Sequence, residues 1–311
     1  MDGMNMDRSE LQDSARKAFG EAGLAPDKSA SWTKLTEMGW FMMTVPEAQG
    51  GLGMGREAMG VIHYELGRAL VPGSTIAQML VIEALAATGQ SDLLERAMAG
   101  EVMTTNLCNA LDADTASHIL LVSDDSIALA PVASFTHRVT WDETRRLFDA
   151  TAGEQVLLAT GADAAALANR LRAQLLFMLA ADSLGGAEAA LIMTIEYLKT
   201  RRQFDRPLAM FQALKHRVAD LKIAHRAAEA LLWDRAVGEP SLAEMGALKA
   251  HCTTAYARIA EETIQLHGGI GLTQEYPCHL FLKRAFLNCA LGGDADYWEE
   301  QAGRFAMENL A

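Results

Sequence analysis

Ile264-Gln265-Leu266-His267-Gly268-Gly269-Ile270-Gly271-Leu272-Thr273-Gln274-Glu275-Tyr276-Pro277, running on to Leu282-Lys283-Arg284-Ala285, is the stretch on which the reading of this chain turns. A helix-spaced apolar run breaks at a glycine cluster, and glycine is the residue that lets backbone approach closely. Upstream lies a second punctuated segment, Arg201-Arg202-Gln203-Phe204-Asp205-Arg206-Pro207-Leu208-Ala209-Met210-Phe211-Gln212. Taken alone, Arg201 to Arg206 reads as a solvated, charged turn beside a helix end. Nearer the N-terminus, Val45-Pro46-Glu47 leads to Gly50-Gly51-Leu52-Gly53, and Glu65-Leu66-Gly67-Arg68-Ala69 follows.

In this order and at this spacing, the segments together resemble the acyl-CoA dehydrogenase family. The early glycine run and Glu65 to Ala69 are similar to its helical N-terminal domain. Arg201 to Gln212 is similar to its Arg-x-x-Phe-Gly-x-Pro loop ending in Phe-Gln, with Asp205 where the family usually has glycine. The stretch from Ile264 is similar to its C-terminal signature. Counting on from that signature, the Glu-Gly pair that usually supplies the catalytic carboxylate reads Gly292-Gly293.

Composition sets the outer bounds. A chain of 311 residues buries a sizeable core as one large domain or two to three smaller ones. Half of it is apolar and only 6% aromatic, a balance that favours helix over strand. No run of about twenty residues is free of charge, so no membrane span is expected. Ala173 to Tyr197, interrupted by Asp182, Gly185-Gly186 and Glu188, reads as a helix buried nearly all round. Acidic residues outnumber basic ones, 40 to 27, which argues against a general nucleic-acid binder. Any anionic ligand then needs a local basic cluster. Cys108, Cys252, Cys278 and Cys289 lack CxxC spacing and paired histidines, so neither a metal site nor a disulfide framework is expected, and reduced, cytoplasmic thiols are the simpler reading. Asp2, Asp7 and Glu10, with no apolar core, are unlike a signal peptide.

Three textures follow one another along the chain. From about Met6 to Glu101 the apolar spacing is helical, with turn signals at Ala25-Pro26-Asp27, Pro46, Gly50-Gly51 and Pro72-Gly73. Between Met103 and Gly161, short β-branched segments at His118 to Val122, Ile127 to Pro131 and Arg138 to Trp141 predict a small sheet, with a turn at Asp124-Asp125-Ser126. Long helical patterns return from Ala164. The expected fold is mainly α with a small β middle domain: a helical N-terminal domain over 1–102, a reduced β domain over 103–162 and a C-terminal helical bundle over 163–311. The resemblance implies the same architecture. Typical members, however, have a longer middle domain carrying a Thr-Glu-Pro-Gly-x-Gly-Ser-Asp loop and a Trp-x-Thr segment that hold the flavin ring, and neither occurs here.

The resemblance also implies FAD. Carried over position by position, the residues that serve the ADP half across a subunit interface are Arg201, Phe204, Gln212, Gln265 and Gly269. Their chemistry suits that role, since a guanidinium matches phosphate oxygens in pairs, amides donate to phosphate or adenine, and glycine admits close approach. Dehydrogenation needs a carboxylate to take the α proton of an acyl thioester while the flavin takes the β hydride. Family members place it at the position of Gly292 or near Leu175 and Leu176, and none of these has a basic side chain. Asp294 is the nearest surrogate, shorter and two residues displaced, and Asp294, Asp296, Glu299 and Glu300 read more simply as the acidic start of a last helix. His267 is a candidate for cofactor contact, with a packed histidine as the commoner case. No Gly-x-Ser-x-Gly or nicotinamide-binding glycine motif is present.

The expected function is therefore a non-catalytic subunit of a heteromeric, α2β2-type acyl-CoA dehydrogenase, resembling those that act on steroid side-chain CoA thioesters. A catalytic partner would supply the base and ring pocket, and an electron-transferring flavoprotein would take the electrons. The alternatives are a self-sufficient dehydrogenase using Asp294, and a non-enzymatic scaffold of the same fold.

Overall fold

The computed structural model describes residues 8–20 and 23–308. Asp2, Met6 and Asp7 lie outside the described residues. The first five helices are α1 (Arg8–Gly20), α2 (Lys28–Glu37), α3 (Arg56–Arg68), α4 (Thr75–Ala87) and α5 (Ser91–Met98). The Ala25-Pro26-Asp27 signal starts α2 by a capping bond: the Asp27 carboxylate accepts from Ala30 N at 2.8 Å.

Five strands follow: β1 (Met103–Thr105), β2 (His118–Val122), β3 (Ser126–Arg138), β4 (Leu147–Ala152) and β5 (Val156–Thr160). β1 runs parallel to β2, and the remaining pairs are antiparallel. β3 is long enough to serve three neighbours: Ile127 to Pro131 pairs with β2, Ser126 to Leu129 with β5, and Val132 to Arg138 with β4. Asp124 and Asp125 make the expected turn, held by Ser123 Oγ, which donates to Asp125 Oδ1 at 2.8 Å. The strand expected over Arg138 to Trp141 is not formed. Arg138 ends β3, and the chain then leaves the sheet because Asp142, Thr144 and Arg145 are drawn into bonds with the helical bundle.

Helix then dominates. α6 (Gly161–Thr200) starts slightly earlier than its apolar pattern indicates and runs for 40 residues. Two short strands, β6 (Arg202–Gln203) and β7 (Arg206–Pro207), form a hairpin before α7 (Gln212–Arg235), α8 (Leu242–His267), α9 (Cys278–Ala290) and α10 (Ala295–Glu308). After the Gly238-Glu239-Pro240 break, Ser241 and Glu244 form a reciprocal capping box that starts α8.

α6 is the axis of the molecule, with every residue from Leu175 to Ala187 buried. By length and composition it passes as a membrane span, but 83% of its most apolar window is packed inside the protein. α3 lies against it at backbone contact. A Cβ on Gly185 would stand 1.8 Å from Tyr64 O, and one on Gly67 2.0 Å from Asp182 O, so only glycine allows this approach. α8 packs along another face of α6, and the inner side of the sheet (Leu120, Ile127, Leu129) joins the same core.

Candidate functional site

The C-terminal ends of α6 and α8 meet. Tyr197 stacks on His267 with ring centroids 4.3 Å apart, and its hydroxyl donates to His267 O at 3.2 Å. The first turns of α7 flank the same place, where Arg217 Nε donates to Glu262 Oε2 at 2.9 Å. Segments leaving these helices therefore emerge together, and they bring Arg201, Phe204, Gln212, Gln265 and Gly269 to one end of the bundle. All five are exposed. The side chains of Arg201, Gln212 and Gln265 have no hydrogen bond or ion pair among the described residues, and a Cβ on Gly269 would meet nothing within 4 Å. His267 takes the packed role. It lies buried between Tyr197 and Tyr276, its Nδ1 donates to Thr263 O at 2.6 Å, and burial lowers its pKa.

The hairpin at this end is braced from within. Phe204 and Asp205 both have positive φ, 53° and 62°, which is the left-handed pair that matches a two-residue hairpin loop to strand twist. This accounts for the glycine usual at position 205, and aspartate is among the few other residues that enter this region readily. Arg202 Nη2 donates to Asp205 O at 2.6 Å, and the Arg206 guanidinium lies 4.0 Å from the Phe211 ring centroid. Phe204 is held at the tip with 86% of its surface exposed.

A second place gathers the positions at which the family resemblance would put a base. Gly292, Leu175 and Leu176 line one cavity of about 440 Å³, together with Leu107 and Tyr297. A Cβ at Gly292 would face Leu176 and Leu179 at 3.4 Å and Leu175 at 3.5 Å. Gly292 and Gly293 have φ of +70° and +95°, so the turn itself is one that a glutamate rarely adopts. It is pinned: Trp298 Nε1 donates to Gly292 O at 2.8 Å, and buried Lys249 donates to Gly293 O at 2.5 Å and Cys289 O at 2.7 Å. Burial pushes the Lys249 ammonium down to about 8. Asp294 points away from base chemistry: it is exposed, and its Oδ1 accepts from Tyr297 N at 2.9 Å as the cap of α10. Asp124, the only carboxylate among the described lining residues, is exposed and paired with Arg172 at 2.7 Å.

A polar core that joins the sheet segment to the bundle went unread in the sequence. Arg145 donates to Asp182 Oδ1 and Asn288 Oδ1, each at 2.6 Å. Arg284 donates to Asp142 Oδ2 at 2.7 Å and to Asp182 Oδ1 at 3.2 Å. Asn288 Nδ2 closes the set on Asp182 Oδ2 at 2.7 Å. Both arginines and both carboxylates are buried, so the charges balance within the network. Burial by itself raises the Asp142 carboxyl, but Arg284, Thr144 and Arg145 outweigh it and hold the group below its ordinary value. Asp182 inside an otherwise apolar helix was the available signal, since a lone buried charge requires partners.

The family described as acyl-CoA dehydrogenase, N-terminal domain, matches residues 7–101, and acyl-CoA dehydrogenase, C-terminal domain, matches residues 173–307. Acyl-CoA dehydrogenase IpdE2 of Mycolicibacterium smegmatis is 32% identical over 90% of this chain and 88% of its own length. The chain belongs to the acyl-CoA dehydrogenase family. Among solved structures, a variant of the Tcur3481-Tcur3483 steroid ACAD superposes with a TM-score of 0.87 at 24% identity, covering 98% of each chain. The ChsE4-ChsE5 complex of Mycobacterium tuberculosis gives 0.86 at 22% identity, covering 99% of each. The mainly α architecture with its small sheet is thus the acyl-CoA dehydrogenase fold. The two family matches leave residues 102–172 between them, the stretch that carries the five-stranded sheet.

Proposed function

We propose that this chain is the non-catalytic subunit of a heteromeric acyl-CoA dehydrogenase and lends the ADP half of a FAD site to a catalytic partner. The observation that carries the reading is a division of labour. Donors suited to pyrophosphate and adenine stand exposed and unpaired at the bundle end, whereas the positions for a base are two leucines and a glycine in a left-handed turn. The donor set fits the group: Arg201 for phosphate oxygens, Gln212 and Gln265 for phosphate or adenine, Gly269 for close approach and Phe204 for apolar cover. When bound, the flavin accepts the β hydride of an acyl thioester. This chain's own residues hold the far end of the cofactor and move no proton.

The partner then supplies the base, the ring pocket and the acyl selectivity. Two fold neighbours bearing paired names, one of them called a steroid ACAD, support a heteromer, which on this reading has α2β2 stoichiometry and acts on a steroid side-chain CoA thioester. Electrons would leave to an electron-transferring flavoprotein. The test is flavin content and assembly state of the chain purified alone and co-expressed with a longer dehydrogenase that has the Thr-Glu-Pro-Gly loop and the Glu-Gly pair. About one flavin per unlike pair, and none on the chain alone, is the expected result. A fully flavinated homo-oligomer that oxidises acyl-CoA overturns the reading.

A further inference from the structure

Another cavity, of about 600 Å³, opens where the start of α2, the Pro72-Gly73 turn, the segment from Trp141 to Arg146 and the start of α9 come together. It shares no lining residue with the Gly292 cavity, and none of the proposed flavin donors lines it. Lys28, Asp112, Arg146, His279 and Lys283 all do. A space of this size takes a small molecule rather than a single water.

Asp112 is the fixed point of the cavity. Its carboxylate is buried, and Oδ1 accepts from Lys28 Nζ at 2.9 Å and from Arg146 Nη2 at 3.3 Å. Its Oδ2 has no hydrogen-bond partner among the described residues, although a buried carboxylate oxygen is costly to leave unpaired. Gly73 keeps the space beside that oxygen: its φ is +113°, and an added Cβ would stand 3.9 Å from both Oδ2 and Lys28 Cε. The loop adopts left-handed backbone at Asn109, Ala110 and Asp112 to present the group, and Asp112 N donates to Arg146 O at 3.0 Å. On the α9 side, His279 and Lys283 stand one helical turn apart and half-buried. Neither side chain has a hydrogen bond or ion pair among the described residues.

The cavity therefore holds one unanswered buried acceptor and two unanswered donors. A ligand that answers all three brings an acidic group to the donors and a hydrogen-bond donor to the acceptor. Oδ2 belongs to a carboxylate that already meets Lys28 and Arg146, so a neutral hydroxyl suits it better than a further cation. We infer that this cavity binds a small hydroxylated anion, whose hydroxyl donates to Asp112 Oδ2 and whose acidic group accepts from His279 and Lys283. A hydroxycarboxylate and a polyol phosphate share that chemistry.

Calorimetric titration of the chain with malate against succinate, and with glycerol 3-phosphate against propyl phosphate, tests this, because the members of each pair differ in hydroxyl groups alone. In at least one pair the hydroxylated member is expected to bind about tenfold more tightly, and the pair that shows the difference distinguishes carboxylate from phosphate. Lys283→Ala breaks no bond within the protein and is expected to weaken that binding about tenfold. Asp112→Ala, its fold checked by thermal unfolding, is expected to bring the two members of the pair within about twofold of one another. Binding that ignores the hydroxyl, binding lost on Arg201→Ala but kept in Lys283→Ala, or no saturable binding of any of the four overturns the inference. None of these outcomes touches the shared-site reading, which is decided by the flavin content of the pair.

Discussion

Arg284 is fully buried and meets two carboxylates, Asp142 and Asp182, so its charge is answered on both sides. Arg284→Met strands Asp142 in the core and leaves Asp182 to Arg145 and Asn288, and the expected loss is about 3–5 kcal/mol of unfolding free energy, read from denaturant curves. A loss below about 1 kcal/mol would mean that Asp142 relaxes to water or to Arg145. Lys249 gives a second residue-scale prediction, in pH. Its folded value of about 8 lies below its ordinary 10.5, so between these values the unfolded chain holds more protons and stability rises with pH. Below about 8 the burial cost is fully present. The unfolding free energy of wild type relative to Lys249→Met should therefore climb from pH 8 to 10.5. A difference that stays flat across that window would remove Lys249 from the account. The motif that names the family contained Arg284, but its role was not legible there, because Asp142 and Asp182 are distant in sequence and only folding makes them neighbours.

At the scale of elements, α3 and α6 touch through Gly67 and Gly185, where added Cβ atoms would stand 2.0 and 1.8 Å from backbone oxygens. Gly185→Ala must push two buried helices apart, and a destabilisation of about 3 kcal/mol or more is expected by thermal or chemical unfolding. The β6–β7 hairpin makes the opposite kind of prediction. Asp205→Gly keeps the left-handed turn and should leave hairpin and flavin retention by the pair within about twofold of wild type. Asp205→Val is strained at φ 62° and should cut flavin retention several-fold with little change in global stability, since the hairpin is exposed. Equal retention by the two variants would show that the turn does not position Arg201 and Phe204. Helical spacing foretold the helices on either side of the sheet, whereas β4 and β5 were not foreseen. They are short, and they exist because the long β3 offers them edges. The strand expected at Arg138 to Trp141 was lost for a related reason, with Asp142, Thr144 and Arg145 claimed by the bundle.

For the whole molecule, the proposed division of labour predicts that a carboxylate placed at Gly292 gives no activity. Gly292→Glu places a carboxylate on a turn with φ +70°, against three leucines and pinned by Trp298, and no acyl-CoA turnover is expected from the chain alone or from this subunit in the pair. Turnover by Gly292→Glu alone would mean that a complete flavin ring pocket lies within this chain. The family and the mainly helical class were legible along the chain, and so were the residues proposed as donors and the glycine at the proposed base position, because all of these rest on residue type and on spacing in one dimension. Folding had to show that the proposed donors are exposed together where α6 and α8 end, that Gly292, Leu175 and Leu176 line one cavity, and that a charge-balanced polar core locks the sheet segment to the helices. The physical reason is common to all three: each depends on groups far apart in sequence coming within a few ångströms, and local periodicity carries no distance information of that range.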